Sequence, residues 1–266
     1  MVQVTPTNRR DLLRAGAALT SVGAFVTGCG HTGTATAAPS PTTPTTPTTP
    51  TTPTTPAPTS PSASPERLPF QITHGPRAAA SVALTFHGQG DPALADQLLG
   101  TAERHGARLT VLAVGSWLDA YPAMARRILD GGHDLGNHTQ RHISVNAMAE
   151  ADARKEITDC AERLKRLTGS IGRWFRPSRA PTASPLVARL AAEAGYPHVL
   201  SYDVDSLDYT RPGAPAVTRK VLAEVTGGSV VSMHFGYPDT VAALPAVLQE
   251  LNRRGLRAVT TTELFS

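Results

Sequence analysis

Ser81-Val82-Ala83-Leu84-Thr85-Phe86 decides the fold class. Five apolar or β-branched residues in succession after Ser81 read as a short buried strand. Residues 91–105 follow with helical periodicity, and the same two-part pattern then repeats to the end of the chain. Strands are expected at 109–114, 133–136, 173–175, 198–204, 229–233 and 256–259. Helices are expected at 121–129, 147–167, 184–194, 214–225 and 240–253. Seven strands alternating with helices over about 200 residues imply parallel βα units. The predicted class is α/β, with a closed or slightly incomplete barrel ahead of an open doubly wound sheet. No glycine-rich phosphate loop follows the first strand, which argues against a nucleotide-binding fold.

Upstream of this pattern the composition changes. The chain has 266 residues, 40% hydrophobic and 17% charged, and a proline-rich block lies between Ala38 and Pro65. Five Thr-Thr-Pro repeats occupy 42–56. Proline fixes φ and removes the amide donor, so neither helix nor sheet ladder forms there. Some 28 residues in polyproline geometry reach on the order of 90 Å. The expected organisation is a leader at 1–29, an extended Thr/Pro-rich tether at 30–67 and a globular domain at 68–266.

The leader reads as an address. Arg9-Arg10 precede a weakly apolar stretch that ends in Val26-Thr27-Gly28-Cys29. A twin arginine followed by a modest hydrophobic run resembles a Tat export signal. Small residues immediately before Cys29 resemble a lipobox, which would make Cys29 the lipidated N-terminus. The expectation is an exported protein, lipid-anchored to the outer face of the cytoplasmic membrane and facing the cell wall. The membrane contact is through the lipid alone. Cys160 is the one further cysteine and is expected to be a small buried residue. The net charge of +4 is modest, and residues 68–266 carry 21 Lys and Arg against 19 Asp and Glu. With no basic stripe, nucleic-acid binding is not expected. The chain is expected to be a monomer.

Reactive residues fall at or just after the expected strand ends: His87, His138 with His142, Arg176, Asp205 with Asp208, and His234. In a βα barrel those ends gather on one face. His138 and His142 are four apart, so on a helical turn they share a face and can bind one metal ion. His234, closing a strand, suits general acid–base work near neutral pH. Asp208 can orient that imidazole or raise its pKa. Arg176 can hold a carboxylate or a substrate oxygen. Tyr209, Trp174 and Tyr202 can supply an apolar or sugar-stacking wall. His31, His74, His105, His133 and His198 are assigned no function.

Five ordered stretches then carry a resemblance. They are Thr85-Phe86-His87-Gly88, the run from Gly132 through His138-Thr139-Gln140-Arg141-His142, Phe175-Arg176-Pro177, Asp205-Ser206-Leu207-Asp208-Tyr209, and Val231-Ser232-Met233-His234. Together they resemble the motifs of the polysaccharide deacetylase (NodB-like) family across nearly the whole globular part. The resemblance implies a distorted (β/α)7-type barrel and hydrolysis of N- or O-acetyl groups on a sugar polymer, usually with a divalent metal. It makes His138 and His142 metal ligands and His234, tuned by Asp208, the proton donor. Arg176 would orient the base.

The first motif departs from the family, which usually carries two adjacent aspartates where this chain has His87-Gly88. The first aspartate is the base and the second is the third metal ligand. His87 can replace the base or become the third ligand, and Asp91 can supply the missing carboxylate. Ser178-Arg179 and Tyr209 also replace the usual residues. The leading expectation is a metal-dependent amide or ester hydrolase acting on an acetylated cell-wall or surface polysaccharide. A non-catalytic glycan binder and a metal-independent hydrolase are the alternatives. Histidine-rich ligation suits zinc, with cobalt or nickel also compatible.

Overall fold

A computed structural model describes residues 68–266. The expected leader, tether and lipidation site at Cys29 lie outside the described residues. The described chain runs β1 (Gln71–Ile72), β2 (Ser81–Gly88), α1 (Pro92–Arg104), β3 (Thr110–Ala113), α2 (Gly115–Ala120), α3 (Ala123–Asp130), β4 (Asp134–Asn137) and α4 (Glu150–Thr168). It continues through α5 (Pro185–Glu193), β5 (Val199–Leu200), β6 (Val204–Asp205), α6 (Ala214–Glu224), β7 (Val230–His234), α7 (Pro238–Arg253), β8 (Arg257–Val259) and α8 (Thr261–Leu264). No described helix is long and apolar enough to cross a membrane.

Every ladder is parallel, in the order β4-β3-β2-β7-β6, with β8 beside the first half of β2. Single parallel bridges carry the path from Asn137 to Phe175 and on to Val199, where β5 pairs with β1. One antiparallel bridge, His74 to Ser229, returns from the β1 side to the foot of β7. The result is the expected distorted parallel arrangement. Two expected strands are reduced. The 173–175 segment contributes only the bridges at Phe175, because Gly172 at φ +76° and Pro177 leave no length for a ladder. The 198–204 segment splits into β5 and β6.

Side-chain alternation sorts the strands into two faces. Val82, Leu84 and Phe86 of β2, with Val231 and Met233 of β7, pack outward into the large core shared with α1, α6 and α7. Ala83, Leu112, Leu200, Val230 and Val259 face the other way and form a separate inner cluster with Ile72 and Trp174. A third cluster, including Ile157, Val187, Leu190 and Tyr196, seats α4 and α5. Alternation then places Thr85 and His87 of β2, and Ser232 and His234 of β7, on the inner face. Register makes Thr85 the partner of Ser232, Ser232 the partner of Asp205, and His87 the partner of His234. The polar residues therefore stack above an apolar plug at the C-terminal ends of the strands.

Candidate active site

The loop after β4 builds one wall. Asn137 is fully buried, and its amide donates to Ile157 O and Tyr196 Oη at 2.9 Å each. Its Oδ1 accepts the Thr139 N–H at 2.8 Å. Buried Glu156 of α4 accepts the Arg141 N–H at 2.8 Å. Thr139 and His142 adopt left-handed backbone, at φ +68° and +54°. This is a bent loop, not the helical turn expected from the four-residue spacing. The two imidazoles converge nonetheless.

Three histidines meet at that wall. Ligand nitrogens of His87, His138 and His142 all lie within 4.8 Å of one another. His87 Nδ1 stands 3.0 Å from His138 Nε2. Zinc bound at about 2.0–2.1 Å from two nitrogens holds them slightly more than 3 Å apart, so the spacing suits a shared ion. The outward nitrogens are already engaged. His138 Nδ1 donates to Arg176 O at 2.9 Å, and His87 Nε2 lies 3.2 Å from Ser232 Oγ. Metal-binding histidines are held by such outer oxygen partners. Burial, reinforced by neighbouring positive groups, holds His87 and His138 well below the ordinary imidazole range. Burial, then Arg179 and His234, take His142 down to about 4. All three are neutral at physiological pH, which is the state a metal requires. The residues present fit a divalent metal.

His234 forms a second unit beside them, its ring 4.2 Å from that of His87. His234 Nδ1 donates to Asp208 Oδ1 at 2.7 Å. Asp208 Oδ2 accepts the His234 backbone N–H at 2.8 Å and the Thr240 hydroxyl at 2.7 Å. Asp208 is fully buried with both oxygens occupied, so it positions His234 and leaves Nε2 directed to the cavity.

Other expected residues divide. Tyr209 is exposed, lies edge-on to His234 at 5.4 Å and lines the cavity with Tyr202. Trp174 does not line it: the ring is buried in the inner cluster and its Nε1 donates to Thr262 Oγ1 at 3.0 Å. Asp91 is not part of the histidine cluster. It caps α1, accepting the Ala93 N–H at 2.8 Å just before Pro92. Arg176 is fully buried behind the site and donates to Leu200 O, Ser201 O and Thr85 Oγ1 at 2.9, 3.0 and 2.9 Å. Its Nη1 has no partner among the described residues, and burial brings its pKa down to about 10. Cys160 is buried, its thiol pushed up to about 12, as suits an inert core residue.

A cavity of about 400 Å³ joins these groups, lined among others by His87, His142, Tyr202, Asp205, Ser232 and His234. Ser232 and Tyr237 went unassigned in the sequence. Ser232 was legible, because it lies two residues before His234 and so shares its face.

The polysaccharide deacetylase family profile matches residues 74–199. The chain is 30% identical over 188 residues to a peptidoglycan-N-acetylglucosamine deacetylase of Bacillus cereus, covering 69% of this chain and 87% of that protein. It therefore belongs to the polysaccharide deacetylase family. A solved peptidoglycan N-acetylglucosamine deacetylase superimposes with a TM-score of 0.69 at 27% identity, over 74% of this chain and 92% of that one. A CE4 family pseudoenzyme from Bacillus anthracis shares the fold, with a TM-score of 0.71 at 22% identity, over 76% of this chain and 70% of that one.

Proposed function

We propose that the chain removes acetyl groups from the acetamido sugars of a cell-wall or surface polysaccharide, using a divalent metal held by His87, His138 and His142. The observation that carries this reading is the convergence of three neutral imidazoles beside the His234–Asp208 pair on one cavity. Zinc is the preferred ion, with cobalt or nickel compatible. When bound, the metal supplies Lewis-acid polarisation of the acetamide carbonyl and a more acidic water.

The chain's own groups account for the proton movements. His87 is occupied as a ligand, and neither His87 nor Gly88 offers a carboxylate. His234 is then the group that takes a proton at Nε2 as the attacking water loses it. Asp208 stabilises the resulting imidazolium through Nδ1. As the C–N bond breaks, the same Nε2 returns the proton to the departing amine. Arg176 shapes the floor through Thr85 and the β5 carbonyls. Tyr209 and Tyr202 supply the apolar wall for the sugar and its acetyl group.

The twin arginine, the Cys29 context and the proline-rich tether support an exported, lipid-anchored protein reaching into the cell wall. A second reading, a non-catalytic glycan binder, is favoured by the missing first-motif carboxylates. Acetate release from chitooligosaccharides and from peptidoglycan by the zinc-loaded protein separates the two. The expected result is release that stops with chelator, returns with zinc and is absent in His138→Ala. A protein that holds one metal per chain yet releases no acetate from either substrate would establish the binder.

A further inference from the structure

Most arginines in the described chain hold a carboxylate, Arg77 on Asp203 and Arg141 on Glu156 among them. Arg179 and Arg211 hold none, and both line a second cavity of about 350 Å³ that shares His87, His142 and His234 with the first. No acidic side chain lines this second cavity. The two arginines come from distant loops, and each sits in left-handed backbone, at φ +55° and +56°. For a non-glycine residue that conformation is strained, and such strain collects at ligand sites. The Arg211 guanidinium is further fixed over the Tyr237 ring, 5.7 Å from its centroid. Two exposed guanidinium groups, without acidic partners, thus flank the groove leading away from the histidine cluster.

From this arrangement we infer that Arg179 and Arg211 form a subsite for a carboxylate-bearing sugar adjoining the acetamido sugar at the histidine cluster. A guanidinium fork matches a carboxylate in charge and geometry, and the Tyr237 ring offers an apolar face beside it. The acetamido partner rests on the deacetylase reading; the carboxylate preference rests on the two arginines alone.

Calorimetric binding to the full chain tests the preference without turnover. The probe is an oligosaccharide of alternating N-acetylglucosamine and N-acetylmuramic acid, compared with the same molecule after its carboxylates are converted to methylamides. The acid form is expected to bind about tenfold more tightly, with a gap that narrows as salt rises. In Arg179→Gln/Arg211→Gln the gap closes, and in Arg179→Lys/Arg211→Lys part of it returns. Equal binding of the two forms by the wild type, no binding of either, or a gap that survives the double glutamine variant would overturn the subsite. An oligosaccharide of alternating N-acetylglucosamine and glucuronic acid tells the lactyl carboxylate from a ring carboxylate; preference for either over its amide supports the subsite. Acetate release reports separately on the deacetylase reading. Release without a carboxylate preference removes the subsite alone, and a preference without release removes the catalytic reading alone.

Discussion

His87 Nδ1 faces His138 Nε2 across 3.0 Å, and each ring is tied from behind, one near Ser232 Oγ and the other to Arg176 O. A strand and a loop far apart in sequence thereby aim two nitrogens at one point. A metal there is held by β2 and by the loop after β4 together. One zinc per chain is expected by elemental analysis of the purified protein. His138→Ala and His87→Ala should each lower occupancy to background. Full occupancy in His87→Ala would return that residue to the role of base.

Ser232 tests the outer partner of His87. With the metal on Nδ1, His87 carries its proton on Nε2 and donates it to the Ser232 hydroxyl. Loss of such a partner weakens metal binding by roughly 10–100-fold. Ser232→Ala should show that drop in a competition titration with a zinc chelator. An unchanged affinity would mean that His87 is not held through Nε2.

Asp208 and Thr240 separate positioning from packing. Asp208→Asn removes the charge that stabilises protonated His234, and kcat should fall about 10²–10⁴-fold with KM nearly constant. Thr240→Val removes one hydrogen bond to the same carboxylate, at a cost of about 1 kcal/mol in stability. It should leave most of kcat in place. Equal losses in the two variants would make Asp208 a structural residue only.

Gly88 is enclosed by β3. A Cβ at this position would lie 2.8 Å from Val111 Cγ1 and 3.0 Å from Ala113 Cα. Gly88→Ala should therefore destabilise the domain by about 1–3 kcal/mol in urea unfolding. Val111→Ala in the same chain should recover only part of the loss, because the Ala113 contact is backbone.

Acid should destabilise the metal-free protein. His133 is buried, its pKa is lowered chiefly by burial, and its Nδ1 accepts the Leu109 N–H at 3.0 Å. His87 and His138 shift in the same direction, also through burial. The unfolded chain binds protons at these sites near pH 6.5, whereas the folded chain resists until lower pH. Their stabilisation is present above pH 6.5 and is lost as pH falls through the lowered folded values. Glu103, 3.3 Å from His133 Nε2, offsets part of its share. Melting curves should show Tm falling from pH 7 towards pH 4, and a flat or rising profile would refute the assignment.

The legible parts of this fold were those governed by local pattern. β2 and β7 are runs of apolar and β-branched residues, and α4 shows a clear stripe ending at Gly169 in left-handed backbone. α2 was missed because Val114 offers no side-chain cap and Gly115 opens the helix. Asp91 had a legible local role, since an aspartate directly before proline marks a helix start. Its expected ligand role overlooked that signal. Trp174 illustrates the opposite limit. Whether an aromatic at a strand end faces solvent or core depends on neighbours such as Thr262 and Phe265, nearly 90 residues away. The pairing of Arg179 with Arg211 is likewise set by tertiary structure alone.

Positions 87 and 88 are neighbours that differ in the room each leaves for a carboxylate. Behind His87 lies the Arg176 guanidinium, with Nη1 unengaged, so a carboxylate placed at 87 would meet a counter-charge already in place. In front of Gly88 stand Val111 and the β3 backbone, which have closed over the space a side chain would need. An aspartate at 87 needs one substitution, whereas a side chain at 88 must displace Val111 and crowd the Ala113 backbone. The groove therefore admits one carboxylate of a two-aspartate arrangement more readily than the other.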